Sequence, residues 1–247
     1  TAQAQAIAKS LLGGERKAVL LGNAAAHAAN ASSLLALANW IAAQTGASVG
    51  YLTEAANTVG AQWVKAQPQG DGLNAAQMLA GGLRAAVLLN VEPEDTAAGQ
   101  AAAAGLNQAE MVVTLSPFKT NLAFSDVLLP ISPFSETSGS FVNAEGRLQS
   151  FHAVVKPLGE TRPAWKVLRV LGNLLGLPDF EFETSQDVLA AATATPANLS
   201  NATQAGISLA SPAIEPVVAS IYQLDGLVRR APSLQLTADA REQGVTA

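Results

Sequence analysis

Up to Leu129 the chain alternates short, almost unbroken apolar runs with longer stretches whose apolar residues recur at three- and four-residue steps. The short runs are 18–21 (AVLL), 48–52 (SVGYL), 85–89 (AAVLL), 111–115 (MVVTL) and 127–129 (VLL). A strand covered on both faces has no wet side to alternate with, so runs of this kind predict parallel strands lying under helices. Residues 31–45, 74–83 and 94–108 carry the helical period between them, and Gly46 stands where a left-handed C-cap would close the first. The alternation predicts an α/β fold: a doubly wound, mostly parallel Rossmann-like sheet.

The pattern changes after Leu129. Pro130 is expected to stop the fifth strand, since proline has no N–H to give a ladder. Glu136, Gly139, Asn143, Glu145, Gly146, Arg147 and Gln149 then crowd into what reads as a loop within 126–151. Such a loop at the carboxyl end of a parallel strand is where open α/β folds place ligands. A helix follows, with Pro163 in its first turn, Trp165, Leu168, Leu171 and Leu175 on one face, and Gly176 and Pro178 ending it. A shorter helix is predicted over 184–192, where Thr184 and Asp187 have capping-box spacing. From Thr193 small residues and turn formers without a period predict an extended or mobile tail that regains order near its end. Residues 1–178 are therefore read as the α/β domain, and 179–247 as a C-terminal helical appendage with a largely irregular tail.

Composition narrows the function. Charged residues are 13% of the 247, about half the usual share for a soluble domain, while 49% are hydrophobic. A surface so poor in charge predicts that neighbours cover part of it. The net charge of −5 speaks against nucleic-acid binding, which needs a basic stripe. No run approaches the roughly 18 apolar residues of a membrane span, so direct membrane insertion is not expected. Without cysteine there can be no disulfide, zinc–thiolate site or iron–sulfur cluster on these residues. A start at Thr1 with no signal-peptide pattern reads as a piece of a longer protein.

Each candidate for chemistry has a plainer reading beside it. The first strand runs into LGNAAAHAAN, where a dinucleotide fingerprint would need three glycines; only Gly22 is there, and alanine β-carbons would hold a pyrophosphate off. His27 and His152 stand alone, without partners at ligand spacing. Glu136 and Glu145 could serve as an acid–base pair. More simply, Glu136 binds backbone N–H groups of the loop, Glu145 pairs with Arg147, and Gly139 and Gly146 occupy positive-φ positions. Asn143 suits tying one turn to another through its amide. The cluster Glu92, Pro93, Glu94 and Asp95 could be a metal or ribose site, or an acidic helix start.

The segment SDVLLP followed by Glu136, Gly139, Phe141, Asn143, Glu145, Gly146, Arg147 and Gln149 resembles the molybdopterin oxidoreductase superfamily, which carries E-x-x-G-x-F-x-N-x-E-G-R-x-Q at this spacing. LLNVEPED at 88–95, SFHAVVKPLGETRPAWKVLRVLGNLLGL at 150–177 and IYQLDGLVRRAPSLQLT at 221–237 look like the large iron–sulfur subunit of bacterial complex I, NADH:quinone oxidoreductase.

That resemblance implies the C-terminal part of a subunit that takes part in electron transfer from NADH to quinone in an ion-translocating complex. It implies iron–sulfur clusters in the missing N-terminal part of the parent and none here. It also implies other peripheral-arm subunits as partners, on the cytoplasmic side of the inner membrane. The fragment itself is expected to be a scaffold with no catalytic residue and no metal. Glu136, Gly139, Asn143, Glu145, Gly146, Arg147 and Gln149 would then be the frame of a vestigial cofactor site. The alternative is that they still form half of a molybdopterin or nucleotide site. An independent NAD-binding Rossmann enzyme is a third possibility, and the glycine-poor first turn disfavours it.

Overall fold

A computed structural model of the chain describes residues 1–26, 28, 30–96, 99–197 and 220–243. The chain divides into two compact units, Thr1–Glu54 with Ser200–Ala247, and Ala55–Leu199. Parallel strands interleaved with helices occur in both, so the α/β class read from the pattern is observed.

In the first unit, α1 (Ala2–Gly13) begins on Thr1, whose hydroxyl oxygen accepts the Ala4 N–H. Strand β1 (Ala18–Leu21), the short α2 (Asn23–Ala26), α3 (Ala31–Thr45) and β2 (Ser48–Tyr51) follow. β1 and β2 pair in parallel, Ala18 opposite Ser48 and Leu21 opposite Tyr51. α3 ends at Gly46 in the left-handed conformation, φ 73° and ψ 20°, with the Gly46 N–H donated to the Ala42 carbonyl. That is the cap the glycine predicts.

The second unit carries α4 (Thr58–Trp63), α5 (Ala75–Leu79), β3 (Ala85–Leu89), a 3-10 turn at Pro93–Asp95, α6 (Gln100–Leu106), β4 (Met111–Ser116) and β5 (Val127–Pro130). β3, β4 and β5 form a parallel sheet in that order, with Val113 opposite both Val87 and Val127. Ala86, Leu106 and Val112 are its buried centre, with Leu79, Leu83, Leu88, Ala109 and Phe124 packed around them. Beyond β5 come a 3-10 turn at Phe134–Glu136, the hairpin strands β6 (Gly139–Val142) and β7 (Leu148–Phe151), then α7 (Ala164–Leu174) and α8 (Ser185–Ala192). Four short helices that belong to the first unit, α9 (Ile221–Leu224), α10 (Gly226–Arg229), α11 (Pro232–Gln235) and α12 (Ala238–Gln243), close the described chain.

Several elements differ from the pattern's expectation. The helix anticipated over 74–83 stops at Leu79, because Gly81 and Gly82 take φ of 107° and 82°. The one anticipated over 94–108 is broken by Gly99 at φ 52°, leaving the 3-10 turn and α6. Pro130 does not precede the end of β5 but is its last paired residue, opposite Ser116. A proline is tolerated there because β5 is an edge strand. On α7, Leu175 is 65% exposed. The buried position at that end is Gly172, packed so closely on the Phe180 ring that a β-carbon would not fit. Burial of both strand faces also fails at β3, where Val87 is 51% exposed, since β3 is an edge. Of the tail, residues 198–219 lie outside the described residues, and 220–243 form the four short helices.

Candidate functional site

At the carboxyl end of the β3–β4–β5 sheet, where a ligand would be expected, the protein's own polar groups meet one another. The Asn90 N–H donates to the Leu115 carbonyl at 2.8 Å. Asn121, at φ 60°, turns its amide back to donate to the Val91 carbonyl at 2.9 Å and to the Thr114 hydroxyl at 3.4 Å. The buried Thr114 also shares a 2.6 Å hydrogen bond with the Ser125 hydroxyl. Ser116 accepts the Phe118 N–H at 3.1 Å. Glu92 and Asp95 flank Pro93, which opens the 3-10 turn as its first residue, in keeping with the structural reading of that cluster. Among the described residues no group of three or more His, Asp or Glu could hold a metal.

The segment 126–151, read as one loop, is largely regular structure. Asp126 begins it by accepting the Val112 N–H at 2.7 Å. Glu136 accepts not from its own loop but from the Leu158 N–H at 3.0 Å and the Thr161 hydroxyl at 3.5 Å. It thereby pins the chain beyond β7. β6 and β7 are antiparallel, Gly139 opposite Phe151 and Val142 opposite Leu148. The alternating apolar pattern that announces a strand is weak here, since GSFV and LQSF mix small, polar and aromatic residues. Pairing across the turn, not periodicity, makes these strands.

Asn143 closes that turn. Its Oδ1 accepts the N–H of Glu145 at 3.1 Å and of Arg147 at 2.9 Å, while Gly146 takes φ 81°. An asparagine carboxamide doing this for its own turn is a familiar local motif. Two details of the sequence reading change. Glu145 and Arg147 form no ion pair with each other; their backbones, not their side chains, hold the turn. Gly139 is extended rather than at positive φ. It is required for space, because a β-carbon would meet the Phe151 ring at 2.6 Å. Phe151 in turn stacks edge-on against Phe141, with centroids 5.4 Å apart.

The other face of the hairpin bounds a cavity of about 490 Å³. Its row of Ser140, Val142, Leu148 and Ser150 faces α4, α8 and Trp165 at the start of α7. Asn57, capping position of α4, accepts the Val142 N–H on its Oδ1 at 2.8 Å and so fixes α4 to β6. Trp63 donates its indole N–H to the Thr195 carbonyl at 2.8 Å, fixing α4 to the chain leaving α8. α8 is capped by a full box: the Thr184 hydroxyl accepts the Asp187 N–H, and the Asp187 carboxylate accepts the Thr184 N–H at 2.8 Å. The N–H groups of Thr184 and Glu183 and the Thr184 hydroxyl hold the Asp187 carboxyl below its ordinary value, the Thr184 N–H foremost.

Of the seven frame residues, Gly139 lines the cavity; Glu136, Asn143, Glu145, Gly146, Arg147 and Gln149 do not. His152 lines it as well, while His27 lies outside the described residues. Asn57, Trp63, Ser140 and Ser150 were not signalled, and an isolated asparagine before a short helix has no spacing that would point to a hairpin. A pterin dinucleotide brings a pyrophosphate, which asks for cations or a bed of backbone N–H groups at a helix start. Among the described residues the cavity is lined by no Lys or Arg. Ser185 and Gln186 bring the first turn of α8 to its wall and His152 is its one titratable side chain, so a pyrophosphate would find no permanent counter-charge there.

The comparisons agree with the segment's ancestry. Residues 2–174 match the family described as Molybdopterin oxidoreductase. A "Putative formate dehydrogenase" of Staphylococcus aureus strain bovine RF122 / ET3-1 is 36% identical over 87 residues, covering 35% of this chain. Proteins of the same description from strains USA300 and COL are 33% identical over the same length. The matched stretch is 9% of the length of each relative.

Proposed function

This chain belongs to the molybdopterin oxidoreductase family, and on that footing we propose that it is the C-terminal part of the large iron–sulfur subunit of a bacterial NADH:quinone oxidoreductase, where it acts as a scaffold. The parent moves electrons from NADH towards quinone through clusters on its N-terminal part. This portion performs no chemistry, and it presents its surfaces to neighbouring peripheral-arm subunits on the cytoplasmic side of the membrane. No helix among the described residues is long and apolar enough to cross a membrane, which is compatible with a peripheral position.

The observation that carries the reading is where the polar frame spends its hydrogen bonds. Glu136 is taken up by Leu158 and Thr161, and Asn143 by the N–H groups of Glu145 and Arg147. At the sheet's carboxyl end the Asn121 amide donates to the Val91 carbonyl and the Thr114 hydroxyl. Groups that satisfy backbone in this way support a fold and are not held ready for a substrate. The segments LLNVEPED and IYQLDGLVRRAPSLQLT favour the NADH:quinone branch of the family.

A second reading starts from the Staphylococcus aureus relatives, described as "Putative formate dehydrogenase": the parent oxidises formate, and this portion is half of a pterin site. Metal and nucleotide analysis of the full-length parent separates the two. Under the scaffold reading, molybdenum and guanine dinucleotide are absent at stoichiometric level and NADH does not saturate the isolated chain. Stoichiometric recovery of either, with formate-dependent dye reduction, overturns it in favour of the second.

A further inference from the structure

We propose that the cavity between the β6–β7 hairpin, α4 and α8 is a binding site for a neutral, planar small molecule that carries a hydrogen-bond acceptor such as a carbonyl. The inference stands apart from the scaffold reading, because Gly139 alone of the seven frame residues touches the cavity, and Glu136, Asn143, Glu145, Gly146, Arg147 and Gln149 do not.

Size and shape come first. At about 490 Å³ the cavity lies within the range of small-molecule pockets, roughly 300–1,000 Å³. Its walls are held before any ligand arrives. Asn57 locks α4 onto β6, Trp63 locks it onto the chain after α8, and Gly60 is buried where the Asn57 amide leaves no room for a β-carbon. A pocket so tied needs little ordering on binding.

Charge and polarity then select the ligand. A phosphate or carboxylate placed among Val142, Val188, Leu189 and two tryptophans would lose hydration with no Lys or Arg among the described lining residues to replace it. The exposed His152 is the one lining side chain able to take a positive charge. Donors, by contrast, are in surplus. Ser140 and Ser150 share one hydrogen bond at 2.8 Å on an exposed part of the wall, so one of their two O–H groups has no acceptor among the described residues and is open to a ligand or to water. The Asn57 Oδ1 is engaged, but its NH₂ has no acceptor among the described residues. Trp63 and Trp165 supply aromatic surface to the walls, one side of the Trp165 ring being covered by the Lys166 ammonium 5.3 Å from its centroid. Unused donors beside aromatic walls call for a flat molecule with acceptors of its own.

The test uses the full chain, isothermal calorimetry and two probes of equal size: 2-acetonaphthone, a neutral ketone, and 2-naphthoate, its charged counterpart. The expected result is saturable binding of the ketone at least about tenfold tighter than the carboxylate, from the uncompensated desolvation of the latter. Ala61→Leu, which fills the cavity from α4, should abolish it. If that variant loses its helical circular dichroism, Ser140→Ala with Ser150→Ala decides instead, and a several-fold weakening is expected. No saturable ketone binding, equal affinity for both probes, or binding unmoved by a folded Ala61→Leu or by the double serine variant overturns the proposal.

Discussion

The Asn57 carboxamide oxygen accepts the Val142 backbone N–H at 2.8 Å across 85 residues of chain. Val142 is 4% exposed, so this N–H has no ready access to water. The same side chain sits against Gly60, which has no β-carbon to dislodge it. One polar atom thus decides where α4 rests on the hairpin.

Asn57→Ala should therefore leave a buried donor without a partner and lower the stability of the second unit by about 1–3 kcal/mol. Urea unfolding followed by tryptophan fluorescence reads this directly, since Trp63 and Trp165 belong to that unit. A midpoint equal to the wild type would show that water or a neighbouring group replaces the bond.

Gly139→Ala places a methyl 2.6 Å from the tip of the Phe151 ring. Overpacking of this kind costs about 1–3 kcal/mol. Phe151→Leu in the same chain should recover part of the loss, because the ring is the obstacle. Strictly additive effects of the two substitutions would mean that the strain lies in the backbone and not in the ring contact.

Asp187 couples α8 to pH. Its folded carboxyl titrates below the ordinary value of 3.8, so the stability it contributes is fully present above that value and is lost as pH falls through the lower folded one. As pH falls below the ordinary carboxylate value, wild-type helicity should fall more steeply than that of Asp187→Asn. Parallel acid limbs in circular dichroism would remove Asp187 from the cap. Thr184→Ala, which deletes the other half of the box, should cost about 0.5–2 kcal/mol near neutral pH, and less in acid, because the Thr184 hydroxyl also helps hold the Asp187 carboxyl low.

Asn143→Ala and Arg147→Ala should part company. The first removes the acceptor of two turn N–H groups; the second removes an exposed side chain whose backbone alone is engaged. Loss of a cap-like acceptor costs about 1 kcal/mol, while surface truncation stays within about 0.5 kcal/mol. In an assembled complex, both should leave turnover per complex unchanged under the scaffold reading. Abolished turnover with an unchanged melting temperature would contradict that reading.

Much of the local structure is legible from neighbouring residues. Gly46 closes α3, Thr184 and Asp187 cap α8, and the five apolar runs become β1 to β5. Each depends on groups within a turn or on a short unbroken run, and so leaves a mark in the order of residues. The helices over 74–83 and 94–108 came out short because Gly81, Gly82 and Gly99 were used at positive φ, which the apolar period does not register. The hairpin was missed for the opposite reason: GSFV and LQSF have no period of their own and become strands by pairing with each other.

The candidate site divides in the same way. Residue order alone placed Gly146 at a positive-φ position, gave Asn143 a turn-tying role and tied the stretch to its family, because their spacing is a local property. Only the tertiary structure decided that Glu136 reaches Leu158, that Gly139 serves space instead of φ, and that Asn57 and Trp63 shape a cavity with the hairpin's far face. The reason is physical. A capping hydrogen bond is chosen within four residues, whereas a buried N–H takes whichever acceptor the packed chain brings to it, and that choice has no spacing to read.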